Sequence, residues 1–195
     1  MDVDQHIAKR IGALRKSHDF TLERLSELSG VSRSTISSIE RNETSPTAAV
    51  LNKLADALGV SLAALFSDDA PEAAESPLSR FAQQPIWTDP ASGYLRRHVS
   101  PPGHSSPLEL VEVEFPPGRS VSFDSPIRSV AIHQLVWVLD GEIEVTWDGK
   151  AWRLRTGDCL AMVLDQHIGF RNPTRKSARY AVALTTTPQP QRRPR

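Results

Sequence analysis

The stretch Gly30 to Arg41, GVSRSTISSIER, constrains this chain more than any other. A Gly-Val turn leads into Ser32, whose hydroxyl can accept a hydrogen bond from the free amides that open a helix. Ile36 and Ile39 then fall three apart on one face, leaving Arg33, Ser34, Ser37 and Ser38 on the other. Most surface helices carry long charged side chains. A face of small hydroxyls with one Arg lets a helix come close to another surface, and a DNA major groove is a surface of that kind.

Upstream, Thr21 is placed to cap a helix over Leu22 to Leu28, with Arg24 where a capping box carries Glu or Gln. Leu22, Leu25 and Leu28 form its expected buried stripe. Helix, Gly-containing turn, helix is the helix-turn-helix pattern. The run LERLSELSGVSRSTISSIERNETSPT resembles the phage-repressor-like (Xre) family, from about Ile7 to Phe66. By that resemblance, Arg33, Ser34 and Ser38 stand at base-contacting positions, with Thr35 and Ser37 beside them. A guanidinium can bond O6 and N7 of one guanine together, so Arg33 is the candidate for base readout. Thr21, Arg41, Asn42 and Thr44 suit phosphate contacts, which position a protein without reading sequence. The resemblance also implies an ion pair between Arg15 and Glu40, fixing the recognition helix against the first helix.

The remaining helices follow from spacing. Ile7, Ile11 and Leu14 predict a helix over Val3 to Ser17. Val50, Leu51, Leu54 and Leu58 predict one over Thr47 to Leu58, with Gly59 as its C-cap. Ser61 would cap a last short helix, Leu62 to Phe66. Residues 1–66 are therefore expected to form an all-α DNA-binding bundle of five helices.

All 15 prolines follow Thr44, and the chain's style changes with them. SDDAPEAAESP is acidic and lacks apolar anchors, so 67–78 reads as a flexible linker. From Ser79 the pattern is strand-like. Val111, Val113 and Phe115 alternate with Glu112 and Glu114, and Ile143, Val145 and Trp147 alternate with Glu144 and Thr146. Asp148-Gly149 between two such runs signals a hairpin. Many short strands and frequent turns predict an all-β domain over 79–187, a double-sheet jelly roll. The basic residues 188–195, PQPQRRPR, read as a disordered tail.

QLVWVLDGEIEVTWDGKAWRLRTGDCLAMV resembles the cupin family through its VLDG turn and the GD that follows. Most cupin enzymes hold a metal with two His, a Glu and a third His. Here Gln134 stands in the Glu position, none of Ile127 to Val130 is a ligand, and Ile168 stands in the third His position. His133 and His167 are each one residue away. If the register follows that of the family, strand alternation places Gln134, Val136, Val138, Ile168 and Phe170 in the barrel interior and both histidines outside. A register slipped by one residue on both strands would instead bring His133 and His167 inward, where Glu112 or His104 would have to complete a metal site. One of Arg96 and Arg97 should also face inward, and an inward Arg96 could bind an anion. A salt bridge to Glu112 or Glu114 is the competing role. No metal and no cofactor are expected.

Cys159 is the single cysteine, no apolar run reaches the length of a membrane span, and no cleavable leader pattern opens the chain, so the expected setting is the cytoplasm. Lys plus Arg equals Asp plus Glu at 23 each, so placement of charge rather than its sum bears on nucleic acid. A helix-turn-helix domain joined to a single cupin resembles a class of bacterial one-component regulators, whose barrel senses a small molecule and dimerises. The expectation is a non-enzymatic homodimer that binds a palindromic double-stranded operator and a small organic effector. The rival is a cupin isomerase or dioxygenase carrying a DNA-binding domain, which needs a metal shell or another catalytic set.

Overall fold

A computed structural model describes residues 3–66, 76–101, 106–123 and 130–188. The N-terminal part is a bundle of four α-helices: α1 Val3–Ser17, α2 Leu22–Ser29, α3 Arg33–Glu40 and α4 Ala48–Ala57. Thr21, Ser32 and Thr47 cap the last three, each accepting from the amide three residues on. Gly30 ends α2 in the left-handed region at φ 67°, with its N–H donating to Ser26 O. Ile7, Ile11, Leu25, Ile36, Ile39, Leu51, Leu54 and Leu58 form the closed core of the bundle.

Two expectations are corrected here. The fifth helix is a single 3-10 turn, Ala63–Phe66, with Ala64 N–H bonded to Ser61 O and Leu65 N–H to Leu62 O. Four residues leave no room for an i to i+4 ladder. The stripe of α2 is also shifted, since Leu22 is half-buried and Leu28 is 39% exposed. Ser29 is buried instead, its hydroxyl donating to Leu25 O and accepting from Val31 N–H, which ties the turn into α3 to the end of α2.

The remainder is all β. In chain order the strands are β1 Ile86–Thr88, β2 Leu95–His98, β3 Leu108–Phe115, β4 Ser120–Phe123, β5 Val130–Asp140, β6 Glu142–Trp147, β7 Lys150–Arg155, β8 Cys159–Val163, β9 Ile168–Arg171 and β10 Ala178–Pro188. They form a six-stranded sheet, β1-β2-β3-β10-β5-β8, and a four-stranded sheet, β4-β9-β6-β7. A 3-10 turn at Phe81–Gln83 precedes β1, where strand-like chain was expected from Ser79. Asp148 and Gly149 form the two-residue turn between β6 and β7, both with positive φ, as a turn matched to strand twist requires. Gly141 turns β5 into β6 at φ 80°. A Cβ there would sit 3.1 Å from Ala178 Cα and from Ser177 O, so the close approach needs glycine.

The bundle docks against both sheets, α4 on β4 of the four-stranded sheet and α1 on β1 of the six-stranded one. Ala48 N–H, at the start of α4, donates to Oδ1 of the buried Asp89 at 2.9 Å. Ser61 Oγ donates to the Glu109 carboxylate, 2.9 and 3.1 Å from its two oxygens. Phe66 meets Trp87 edge-on, Trp87 meets Tyr94 edge-on, and Tyr94 stacks on Phe115. One apolar cluster thus runs from the bundle into the β domain. Most of the expected linker (67–75) and of the expected tail (189–195) lies outside the described residues. No helix among the described residues is long and apolar enough to cross a membrane.

Candidate nucleic-acid interface and barrel cavity

On α3, Ile36 and Ile39 point into the core, so the opposite face is presented outward. Arg33 and Ser34 are exposed, while Thr35, Ser37 and Ser38 are half-buried. The Ser32 hydroxyl accepts from Thr35 N–H and lies 3.0 Å from Ser34 Oγ and 2.7 Å from Thr35 Oγ1. These hydroxyls hold one another in the first turn of the helix. Thr21, Arg41, Asn42 and Thr44 are exposed around the same face. Asn42 has a left-handed φ of 56°, which its short amide side chain tolerates.

The orientation of α3 is set from behind. Arg15 on α1 grips Glu40 with two hydrogen bonds, Nε to Oε1 at 2.7 Å and an Nη2 bond to Oε2 at 2.8 Å. Its third donor, Nη1, reaches Phe20 O at 2.8 Å. The hydrogen bond to Glu40 raises the pKa of Arg15 above its ordinary value. The sequence resemblance anticipated this pair. It did not anticipate that the arginines of the outer face are also paired. Arg33 meets Glu23 at 2.9 Å, Arg24 meets Glu27 at 3.0 Å, and Arg41 forms a two-pronged bond to Glu43. The bond to Glu43 raises the Arg41 pKa and lowers that of Glu43.

In the β domain, Gln134, Val136 and Val138 are buried on β5, whereas His133, Leu135 and Trp137 are exposed. On β9, Ile168 and Phe170 are buried, and His167 just before it is exposed. Arg96, Gln134, Ile168 and Phe170 line one cavity of about 60 Å³. Val136 and Val138 do not line it. They lie deeper along β5 and belong to the core between the sheets. Arg97 points the other way, its guanidinium 4.1 Å from the Phe81 ring centre. Glu112 pairs with Arg179 at 3.5 Å rather than with Arg96.

The cavity also contains residues that strand parity could not indicate. Tyr94 and Tyr180 bring two phenols, and burial pushes Tyr94 up to about 12 and Tyr180 well above its ordinary value. Asn52 of α4, together with Ser61 and Leu62, closes the cavity from the bundle. A cupin-type metal does not fit the donors seen here, because an amide and an isoleucine face the cavity where ligands would stand. Residues 127–129 lie outside the described residues, as does His104. Among the described residues, no three of His, Cys, Asp and Glu come together in a way that could hold a metal ion.

The family model described as Helix-turn-helix, HTH_3, matches residues 11–65. The chain is 27% identical over 179 residues to the HTH-type transcriptional regulator PuuR of Escherichia coli (strain K12), covering 92% of this chain and 94% of that one. It is 28% identical over 159 residues to the HTH-type transcriptional regulator SutR of the same organism, covering 82% and 83%. A crystal structure of an HTH_3 family transcriptional regulator from Vibrio cholerae superposes with a TM-score of 0.74 at 25% identity, covering 99% of this chain and 98% of that one.

Proposed function

We propose that this chain, which carries an HTH_3 (Xre-like) domain and is homologous to HTH-type transcriptional regulators, is a sequence-specific DNA-binding regulator controlled by a small molecule in its β domain. The observation that carries the reading is the outer face of α3. Arg33, Ser34 and Ser38 stand clear of the core that Ile36 and Ile39 fill, on a helix clamped by Arg15 and Glu40. Arg33 reads a base, Ser34 and Ser38 add contacts of lower specificity, and Thr35 and Ser37 complete the face. Thr21, Arg41, Asn42 and Thr44 hold phosphates.

The β domain is a cupin-type jelly roll in this proposal, and it pairs two copies of the chain. One recognition helix buries little surface, whereas two related by a two-fold axis reach half-sites about 34 Å apart. The outer face of the six-stranded sheet suits that pairing. Leu110, Leu135 and Trp137 are exposed there, at 37%, 47% and 51%. Their cross-strand neighbours are small: Ala161 and Ala183 beside Leu135, and Cys159 and Ala181 beside Trp137. Large apolar side chains next to small ones make a surface that a second copy can interlock with.

Selection of bound duplexes from a random pool, followed by footprinting, tests the reading. A two-fold-related pair of protected half-sites is expected. Protection of a single asymmetric half-site by a monomer, or no enriched sequence, would overturn it.

A further inference from the structure

We propose that the cavity between α4 and the barrel is the seat of a small organic carboxylate, held by Arg96 and walled on one side by the DNA-binding domain itself. This rests on the regulatory reading above and adds the chemical class of the effector and the part of the chain it touches.

Arg96 is 8% exposed, and its buried Nε has no hydrogen-bond partner among the described residues. Among the described residues it has no carboxylate ion pair either. Phe66 lies under its guanidinium, 5.9 Å from ring centre to Cζ. Glu109, whose carboxylate Ser61 holds, acts on Arg96 only through space, and the Tyr94 phenol is its polar neighbour, so a buried guanidinium that no carboxylate touches gains from an arriving anion. Among the described residues that line the cavity, Arg96 is the only charged one. Tyr94, Tyr180 and Gln134 are neutral groups able to donate hydrogen bonds to an oxygen anion. The remaining lining is apolar, including Val113, Ile132 and Phe170. One guanidinium among neutral donors and an apolar wall matches a monoanion with a short hydrocarbon part. A phosphate dianion would require a second cation.

The cavity measures about 60 Å³, room for a group of a few heavy atoms. Ser61 and Leu62 form part of its wall, and the Ser61 hydroxyl is at the same time bonded to Glu109. A carboxylate with a longer chain must therefore press on the junction that docks the bundle. Such contact gives the occupied and empty proteins different preferences for how the bundle is held, which is the differential interaction that ligand control requires.

The test uses the full chain and sodium formate, acetate and butanoate at constant ionic strength. Acetamide, butanamide, sodium chloride and sodium phosphate serve as controls. Thermal unfolding and the fluorescence of the four tryptophans, of which Trp87 is buried, report binding, and anisotropy of a selected duplex reports DNA affinity. Carboxylates are expected to raise the melting temperature saturably, with the amides without effect. Arg96→Gln is expected to weaken carboxylate binding by about tenfold or more. If that variant does not fold, Gln134→Glu supplies an internal carboxylate to the same cavity and is expected to abolish binding. Leu62→Trp, on the bundle side, should weaken butanoate more than formate. An equal response to chloride or phosphate would mean an adventitious ion only and would overturn the seat. So would an equal response to the amides, or undiminished binding in the variants. Unchanged butanoate binding in Leu62→Trp would remove the shared wall. Carboxylate binding that leaves DNA affinity unaltered would keep the seat and remove its regulatory role. Absence of any selected duplex would refute the DNA-binding reading while the seat is scored separately.

Discussion

Glu23 Oε1 lies 2.9 Å from Arg33 Nε, so the side chain best suited to read a base is held by a carboxylate in the free protein. Both partners are more than half exposed. Such a pair is worth about 0–1 kcal/mol, little enough for a guanine edge to displace it. Arg24 with Glu27 and Arg41 with Glu43 repeat the arrangement. The face therefore carries arginines without a large positive field, which suits a regulator that must leave non-specific DNA readily.

The first prediction concerns that face. Glu23→Gln should strengthen binding to any duplex by about two- to fivefold at low salt, as expected from loss of a weak competing pair. Arg33→Ala should cost about 1–3 kcal/mol on the selected duplex and relax one base pair. Arg41→Ala should weaken all duplexes alike and reduce the salt slope by about one. Anisotropy titrations over a salt series separate these. Equal losses on selected and random DNA for Arg33→Ala would make it a phosphate contact.

The second concerns the clamp behind it. Arg15 and Glu40 side chains are 14% and 15% exposed and joined by two bonds. Removing one partner leaves the other charge half-buried and unpaired. Arg15→Ala or Glu40→Ala should each cost about 2–4 kcal/mol, slightly below a fully buried pair. The double variant should cost less than the sum of the two. Urea unfolding of the four proteins checks the cycle, and strict additivity would mean the pair is not coupled.

How far these features were legible in the chain depends on their range. The caps at Thr21, Ser32 and Thr47 and the Asp148-Gly149 turn are local chemistry, so a few neighbouring residues indicate them. The alternation on β5 and β9 is also local, since side-chain parity needs only a strand. Leu28 went wrong because Ser29 satisfies its hydroxyl with Leu25 O and Val31 N–H and takes the buried place. Val136 and Val138 have the right parity, but parity does not say how deep along a strand a cavity reaches. The Asp89 cap on α4 and the Ser61–Glu109 bond join positions 41 and 48 residues apart. No local pattern carries such pairs, so the shared wall of the cavity emerged only from the fold.

The third prediction concerns the outer sheet face. Trp137→Glu places a charge amid Leu135, Ala181 and Cys159. It should shift the proposed dimer to monomer with little loss of fold, because Trp137 contributes 51% of its surface to solvent in the single chain. Sedimentation measures this directly. Cys159 is exposed at the edge of the same face, so a short bismaleimide should link two copies. A dimer that survives Trp137→Glu would place the interface elsewhere.

The last prediction follows from His98. It is 3% exposed on β2, its Nδ1 has no hydrogen-bond partner among the described residues, and its neighbours include the Arg96 cation and His6 of α1. Burial first, then Arg96, then His6 lower its pKa from 6.5 to about 4. Between these two values the unfolded chain binds a proton that the folded chain refuses. Stability therefore falls as the pH drops through 6.5 and stops falling below about 4. The full effect is up to about 3 kcal/mol, at 1.36 kcal/mol per unit. Glu109, whose pKa burial raises, acts in the opposite sense across part of the same range, because its folded form holds a proton the unfolded chain releases as the pH rises. The two must therefore be separated by substitution rather than by the wild-type profile alone. His98→Gln removes the titration and leaves Glu109 in place. Urea unfolding at pH 7 and pH 4 should show the wild type losing about 2–3 kcal/mol more than His98→Gln on acidification. An equal loss in both proteins would mean that His98 takes up its proton in the folded state as readily as in the unfolded one.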